Sequence, residues 1–307
     1  MQNHEKIKKY LENLKNSPYS EGSEGKAFFV GDNYILKVLR GAEEKGNGCS
    51  LKYVDPEYFY TDMEAMSQIS NKLNKSGIKV PKIEDYAVLS VDGGSKKQQV
   101  ILEERILGNP VGIDLETNLQ GEENRGLIEE LRKYEALKDG KNAKLIMGVL
   151  TRNLNKYNLE VQESLLDAPD SVLVKFVKDI EKIHTKHGQV RLDPYCGNLI
   201  YNDDTKKLTI IDFNTTEGGV KPDLGRMLAD ILSYFAYPGY AQYNRRIDPQ
   251  VWKNSDNLVC KLLVTAYDNG LWKYPVANNV ELGSVILSSI QDERVKSEVF
   301  TQLFYRR

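Results

Sequence analysis

The stretch Gln189–Asn214, QVRLDPYCGNLIYNDDTKKLTIIDFN, decides the fold. An aspartate, Asp193, is followed one short loop later by Asn198. Two apolar runs come next, Leu199-Ile200-Tyr201 and Leu208-Thr209-Ile210-Ile211, with the turn-rich Asn202-Asp203-Asp204-Thr205-Lys206 between them. Apolar runs bounded in this way read as a β-hairpin. Asp212 stands at the end of the second strand, so the hairpin returns it to the side of Asn198. An Asp-loop-Asn alone occurs by chance in many loops. The three polar residues together, at hairpin spacing and between apolar strands, are far more specific.

Phosphoryl transfer from ATP needs such a set. One carboxylate orients or accepts the proton of the attacking hydroxyl, while an amide oxygen and a second carboxylate hold the Mg²⁺ that neutralises the phosphates. The pattern D-x-x-x-x-N followed by I-D-F resembles the kinase-like superfamily. Within it, GNLIYNDDTKKLTIIDFN is most similar to the compact effector kinases that bacteria inject through type III secretion, and it also resembles aminoglycoside phosphotransferase-like small-molecule kinases. The resemblance implies an α+β, two-lobed protein-kinase-like fold, with a β-rich N-lobe over residues 1–105 and a helical C-lobe over 106–307. It implies ATP and Mg²⁺ as cofactors, Asp193 as the group that orients the nucleophile, and Asn198 and Asp212 as the metal ligands.

Towards the N-terminus, an amphipathic helix over 4–15 is followed by SEGSEGKAFFV at 20–30. Glycines let backbone N–H groups approach phosphate oxygens closely, although a plain hairpin turn explains the same residues. Gly31-Asp32-Asn33 then turns the chain into a strand, Tyr34–Leu39, in which Lys37 is the one charge. A charge in a buried strand needs a partner. By resemblance, Gly22, Ser23 and Gly25 form the glycine-rich loop and Lys37 is the strand lysine that meets the ATP phosphates. The loop departs from G-x-G-x-x-G, because two residues separate Gly22 from Gly25. Asp55-Pro56 opens a helix whose apolar residues recur from Tyr58 to Leu73 and which Gly77 stops. The resemblance makes this the helix whose glutamate pairs with the lysine, with Glu64 as the choice and Glu57 the alternative. Strands over 86–91 and 99–102 flank Asp92-Gly93-Gly94-Ser95, a hairpin signal. The following Glu103–Gly108 falls where kinase-like proteins have their hinge, so Glu103 and Arg105 are assigned to the nucleotide through their backbone.

Towards the C-terminus, residues 114–168 read as a charged helical insertion that shapes the acceptor site, binds a partner or serves as scaffold. Asp170 or Ser171 is expected to cap a helix whose stripe Val172, Leu173, Phe176, Val177, Ile180 and Ile183 ends at Gly188. The catalytic loop departs from the protein-kinase H-R-D-L-K pattern, since Leu192 precedes Asp193 and Tyr195 stands where a lysine often follows. Asn214 also replaces the usual glycine after Asp212-Phe213. These departures leave open an unusual acceptor, low activity or an inactive pseudokinase. Only a short link joins Asp212 to a helix expected from Asp223, with no long activation segment and no A-P-E motif. Asp223 either supports the catalytic loop or caps that helix. Residues 249–307 add helices of core character.

With 307 residues and a formal charge of −2, the chain has no basic excess that would argue for nucleic acid. Three scattered cysteines, Cys49, Cys196 and Cys260, form no C-x-x-C, which points to reduced thiols rather than a zinc site or disulfide framework. No apolar run is long enough to span a bilayer and no Sec signal is visible, so the expectation is a cytoplasmic protein, or one delivered into a host cell by a non-Sec route. The overall expectation is an ATP:hydroxyl phosphotransferase. The effector resemblance favours a protein Ser/Thr acceptor, and the short segment after Asp212 with the helical insertion favours a small molecule. A pseudokinase platform and an AMP-transferring enzyme remain as alternatives.

Overall fold

The computed structural model describes residues 4–12, 14, 17, 19–21, 25–39, 56–91, 96–113, 125–215, 224–235 and 248–269. The expectations for Gly22, Ser23, Cys49, Asp55, the Asp92–Ser95 turn, Asp223 and a helix over 294–304 lie outside these residues. The fold is α+β. The chain divides into a sheet-rich unit, residues 1–106 with 119–126, and a helical one, residues 107–118 with 127–307.

In the first unit, α1 (Glu5–Glu12) precedes five strands: β1 (Tyr19–Glu21), β2 (Gly25–Val30), β3 (Tyr34–Leu39), β4 (Ile83–Val91) and β5 (Lys96–Glu104). They form one antiparallel sheet in the order β1-β2-β3-β5-β4. Strand residues alternate between faces, and each face finds a different cover. Leu36, Val38, Val100, Leu102 and Ala87 are buried with Ile7 of α1. On the other face, Phe59 and Met63 of α2 (Pro56–Lys75) pack on Ile101 beside Tyr86 and Val88. Lys37 is the cross-strand partner of Ile101, so it belongs to this second face. The α2 helix stops as its sequence predicts: Gly77 takes φ +84°, and Ile78 N–H reaches back to Leu73 O at 3.0 Å.

The second unit is built from two small antiparallel pairings and a set of helices. Strands β6 (Asn109–Pro110), β8 (Leu199–Asn202) and β9 (Lys207–Ile210) form one sheet in the order β6-β8-β9, while β7 (Val190–Leu192) pairs with β10 (Phe213–Thr215). The helices are α3 (Arg125–Ala136), α4 (Gly140–Leu166), α5 (Asp170–Lys186), α6 (Leu224–Ser233) and α7 (Pro249–Asp268). Asp139 caps α4, its carboxylate accepting from Asn142 N–H at 3.2 Å. The apolar stripe expected on α5 is buried throughout, from Val172 to Ile183. Its cap differs from expectation. Asp170 is already the first helical residue, Pro169 stands at the cap with φ −57° and ψ 142°, and no side chain caps the helix. A proline that is extended at this point ends the preceding chain without help from Asp170 or Ser171. No helix among the described residues is long and apolar enough to cross a membrane.

Gly108 opens the second unit with φ +129°, and a Cβ there would overlap the carbonyl oxygen of Tyr201 in β8. Both the backbone angle and the close approach require glycine. Gly108→Ala is therefore expected to destabilise the protein by about 2 kcal/mol, read as a lower urea midpoint than wild type.

Candidate active site

The helical unit assembles three polar residues by backbone pairing alone. In the β7–β10 pair Leu192 faces Phe213, and continuing that register by one residue sets Asp193 opposite Asp212. In the β8–β9 pair Leu199 faces Ile210, and the next step is closed by Ile211 N–H donating to Asn198 O at 3.0 Å. Asp212 directly follows Ile211, so the two registers bring Asp193, Asn198 and Asp212 to one place. A short 3-10 turn, Cys196–Asn198, links Asp193 to the hairpin, with Asn198 N–H bonded to Tyr195 O at 2.8 Å.

The side chains follow. Asn198 Nδ2 donates to Asp193 O at 3.2 Å and to Asp193 Oδ2 at 3.1 Å. Two acceptors on that side fix the amide orientation, leaving Oδ1 as the atom that can face a cation. Asp193 is exposed, Asn198 and Asp212 half-buried. No group of three or more His, Cys, Asp or Glu among the described residues could hold a metal. One amide oxygen and one carboxylate still fit Mg²⁺, a hard cation that binds through one or two protein oxygens and completes its shell with water and phosphate. Asn198 and Asp212 are the residues that would hold it.

Three supports lie beneath this loop. Val111 N–H donates to Leu199 O at 2.8 Å, extending β6 along the hairpin. The fully buried Asn158 of α4 then clamps the next backbone unit, accepting from Ile113 N–H at 2.9 Å and donating to Ile113 O at 3.0 Å. His184 Nε2 of α5 lies 3.0 Å from Asp230 Oδ2 of α6, both largely buried. Close by, the hydroxyl of the buried Tyr234 has no hydrogen-bond partner among the described residues. Its ionisation is pushed well up, first by burial and then by the negative charges of Asp230, Asp193 and Asp212. None of these supports was expected from the sequence. Asp230 carried a signal, since a charge inside Leu228-Ala229-Asp230-Ile231-Leu232 needs a partner for the same reason as Lys37. A cavity of about 790 Å³ also runs along α4, lined by Lys144, Arg152, Lys156 and Asp248 among others, and none of the three polar residues lines it.

In the sheet unit, Gly25 begins β2 opposite Leu39, and a Cβ there would overlap Val38 O. Lys37 Nζ lies 2.9 Å from Glu103 Oε1, with side chains 33% and 11% exposed, so lysine and carboxylate are drawn together away from bulk water. The pairing with Glu64 expected from the sequence is not formed. Glu64 sits on the exposed side of α2, where its carboxylate accepts from Gln68 Nε2 at 2.9 Å and from the Tyr86 hydroxyl at 2.7 Å. Tyr86 is on β4 and Lys37 on β3, with β5 between them. Two strand spacings, roughly 10 Å, separate the two positions. Glu57 is exposed as well. Arg105 also differs from its expected role as a backbone donor to a base. Its N–H is committed to Asn33 O at 2.8 Å, and its guanidinium stacks 4.9 Å from the Phe29 ring centre.

The Glu64–Tyr86 contact has a titration signature. Hydrogen bonds from Gln68, then Tyr86, hold the Glu64 carboxyl below its ordinary range. Burial first, then the bond to Glu64, pushes the Tyr86 phenol up to about 12. In Tyr86→Phe the Glu64 midpoint is expected to rise towards the ordinary value while staying below it through Gln68. An NMR titration of the Glu64 side-chain carboxyl carbon checks this, and an unmoved midpoint would deny the contact.

No family model and no curated sequence matches the chain. Among solved structures it is similar to an aminoglycoside-3'-phosphotransferase of type VIII, at 12% identity and TM-score 0.35, over 96% of this chain and 99% of the other. It is also similar to the GDP and kanamycin complex of APH(2")-IIia, at 12% identity and TM-score 0.30, over 97% of this chain and 99% of the other.

Proposed function

We propose that the chain is a kinase-like, Mg²⁺- and ATP-dependent phosphotransferase whose acceptor is a hydroxyl of a small molecule. The observation that carries this reading is the meeting of Asp193, Asn198 and Asp212 through the two strand registers, with Asn198 Oδ1 left for a cation. Asp193, exposed at the surface of its unit, accepts the proton of the attacking hydroxyl. The acceptor oxygen bonds to the γ-phosphorus, and the bond from that phosphorus to the bridging oxygen breaks to leave ADP. Asn198 and Asp212 would hold Mg²⁺, which when bound would neutralise phosphate charge. Lys37, in the sheet unit, supplies a further cation for the α- and β-phosphates.

Between protein and small-molecule acceptors, the chain order favours the second. Strand β10 ends at Thr215 and α6 begins at Leu224, so the link cannot hold a long segment that recognises a protein substrate. The secreted-effector reading has no support of this kind.

Incubation with γ-labelled ATP, Mg²⁺ and a panel of polyhydroxylated amines is expected to label a small molecule. Label on protein alone would return the protein-kinase reading, and transfer from α-labelled ATP would make the chain an AMP transferase. Asp193→Asn is expected to lower kcat roughly 10²–10⁴-fold with ATP affinity nearly unchanged. Asp212→Ala should lose Mg²⁺-dependent nucleotide binding while staying folded. If Asp193→Asn loses nucleotide binding and transfer together, Asp193 belongs to the nucleotide site and the role given it here is wrong.

A further inference from the structure

Helix α4 runs unbroken from Gly140 to Leu166 and carries a further glycine, Gly148, in its interior. Glycine inside a helix is less favourable than alanine or leucine. Neither packing nor backbone angle asks for it here. A Cβ on Gly148 would meet nothing within 4 Å, and its φ is not among the positive ones. Gly25 and Gly108 differ, since a Cβ there would overlap a carbonyl oxygen. Gly148 therefore leaves a notch of bare backbone, and the notch opens into the cavity of about 790 Å³ along α4.

The charges around the notch are unbalanced. Lys144 stands about one turn before Gly148 and Arg152 about one turn after it, and both line the cavity. Residues four apart are neighbours on a helix surface. Helical side chains lean towards the N-terminus, so Arg152 covers the turn that holds Gly148. Neither cation has an ion-pair partner among the described residues. Lys156, four residues beyond Arg152, adds a like-charge neighbour, which is unfavourable. The acids that border the cavity are engaged or distant. Glu160 answers Lys156 at 3.8 Å. Asp248 donates its N–H to Asn155 Oδ1 at 3.2 Å, and its carboxylate accepts from Gln250 N–H at 2.8 Å where α7 begins. Glu163 lies about three turns past Arg152.

We propose that the Gly148 cavity is a second ligand site of the helical unit, one that takes a small organic molecule by its phosphate monoester. The cavity falls within the roughly 300–1,000 Å³ of small-molecule sites. A single carboxylate would be satisfied by Arg152 alone, whereas a phosphate dianion uses both cations. The Arg152 guanidinium supplies two parallel donors and Lys144 a point charge. The bare backbone at Gly148 lets the head approach between them. Asp193, Asn198 and Asp212 do not line this cavity. The site stands apart from the phosphotransferase reading, and its cationic end has the wrong sign for an amine acceptor.

The test titrates the full chain with glucose 6-phosphate, inorganic phosphate and glucose by calorimetry. Glucose 6-phosphate is expected to bind, inorganic phosphate more weakly, and glucose not at all. Arg152→Gln and Lys144→Gln are each expected to weaken glucose 6-phosphate binding roughly 10-fold. Gly148→Leu separates the site from the scaffold. Leucine favours the helix and meets no clash, so the melting temperature should rise while binding is lost to the filled notch. Asp212→Ala is expected to bind glucose 6-phosphate as wild type does. The proposal is overturned if neither phosphate binds, or if both bind equally, which would make this a site for a bare ion. Undiminished binding in Gly148→Leu or Arg152→Gln overturns it too. So does loss of binding in Asp212→Ala, which would put the phosphate in the nucleotide site. Binding needs no turnover, so a chain that transfers nothing defeats the phosphotransferase reading while the cavity is still decided by these titrations.

Discussion

Two strand registers place the clustered polar residues of the helical unit. Leu192 faces Phe213 and Leu199 faces Ile210, and all four side chains are buried. A shift of one residue in either pair would turn its apolar set out to solvent, so burial of these four residues sets the register. The polar residues sit one step beyond each pair. Asp193, Asn198 and Asp212 therefore take their places from hydrophobic contacts they do not make. The hydrogen bonds from Asn198 to Asp193 refine an arrangement that the apolar pairs have already imposed.

The sheet unit obeys the same logic with different parts. Strict alternation leaves Lys37 on the face that α2 covers, among Ile101, Tyr86 and Met63. A cation on a covered face must be answered locally, and the neighbouring strand answers it through Glu103. Polar groups buried elsewhere are treated alike. Asn158 uses both ends of its amide on Ile113, and His184 meets Asp230. Each tie joins elements distant in the chain, which is where a buried hydrogen bond adds most to the uniqueness of a fold.

Much of this was legible in the sequence, and what was not has a common physical cause. Periodicity marked the β8–β9 hairpin, the buried stripe of α5, the end of α2 at Gly77 and the odd charge at Lys37. Those features depend on neighbours near in sequence. Periodicity also puts a residue on a face, but it does not say how far across a sheet a helix lies. Glu64 is on a helix covering the correct face, yet it docks over β4, two strands from Lys37. Glu103 was visible as a charge within Val100-Ile101-Leu102-Glu103. Weighing it by the argument applied to Lys37 would have paired the two. Arg105 was assigned by chain order alone, and order does not reveal that Asn33 had taken its N–H. Asn158 is one of several polar residues on a long charged helix, and only tertiary structure singles it out.

The β8–β9 hairpin has a root and a tip with separate duties. Its root, where Leu199 meets Ile210, sets the spacing between Asn198 and Asp212. Its tip is exposed from Asp203 to Lys206 and closed by its own bonds, with Thr205 N–H on Asn202 Oδ1 at 2.8 Å. Residues added between Asp204 and Thr205 would lengthen the projection without altering the root. The length of the hairpin can thus change while Asn198 and Asp212 stay in register. The tip is equally a natural position at which to graft a reporter peptide or a fluorophore, at the far end of the hairpin from Asn198 and Asp212.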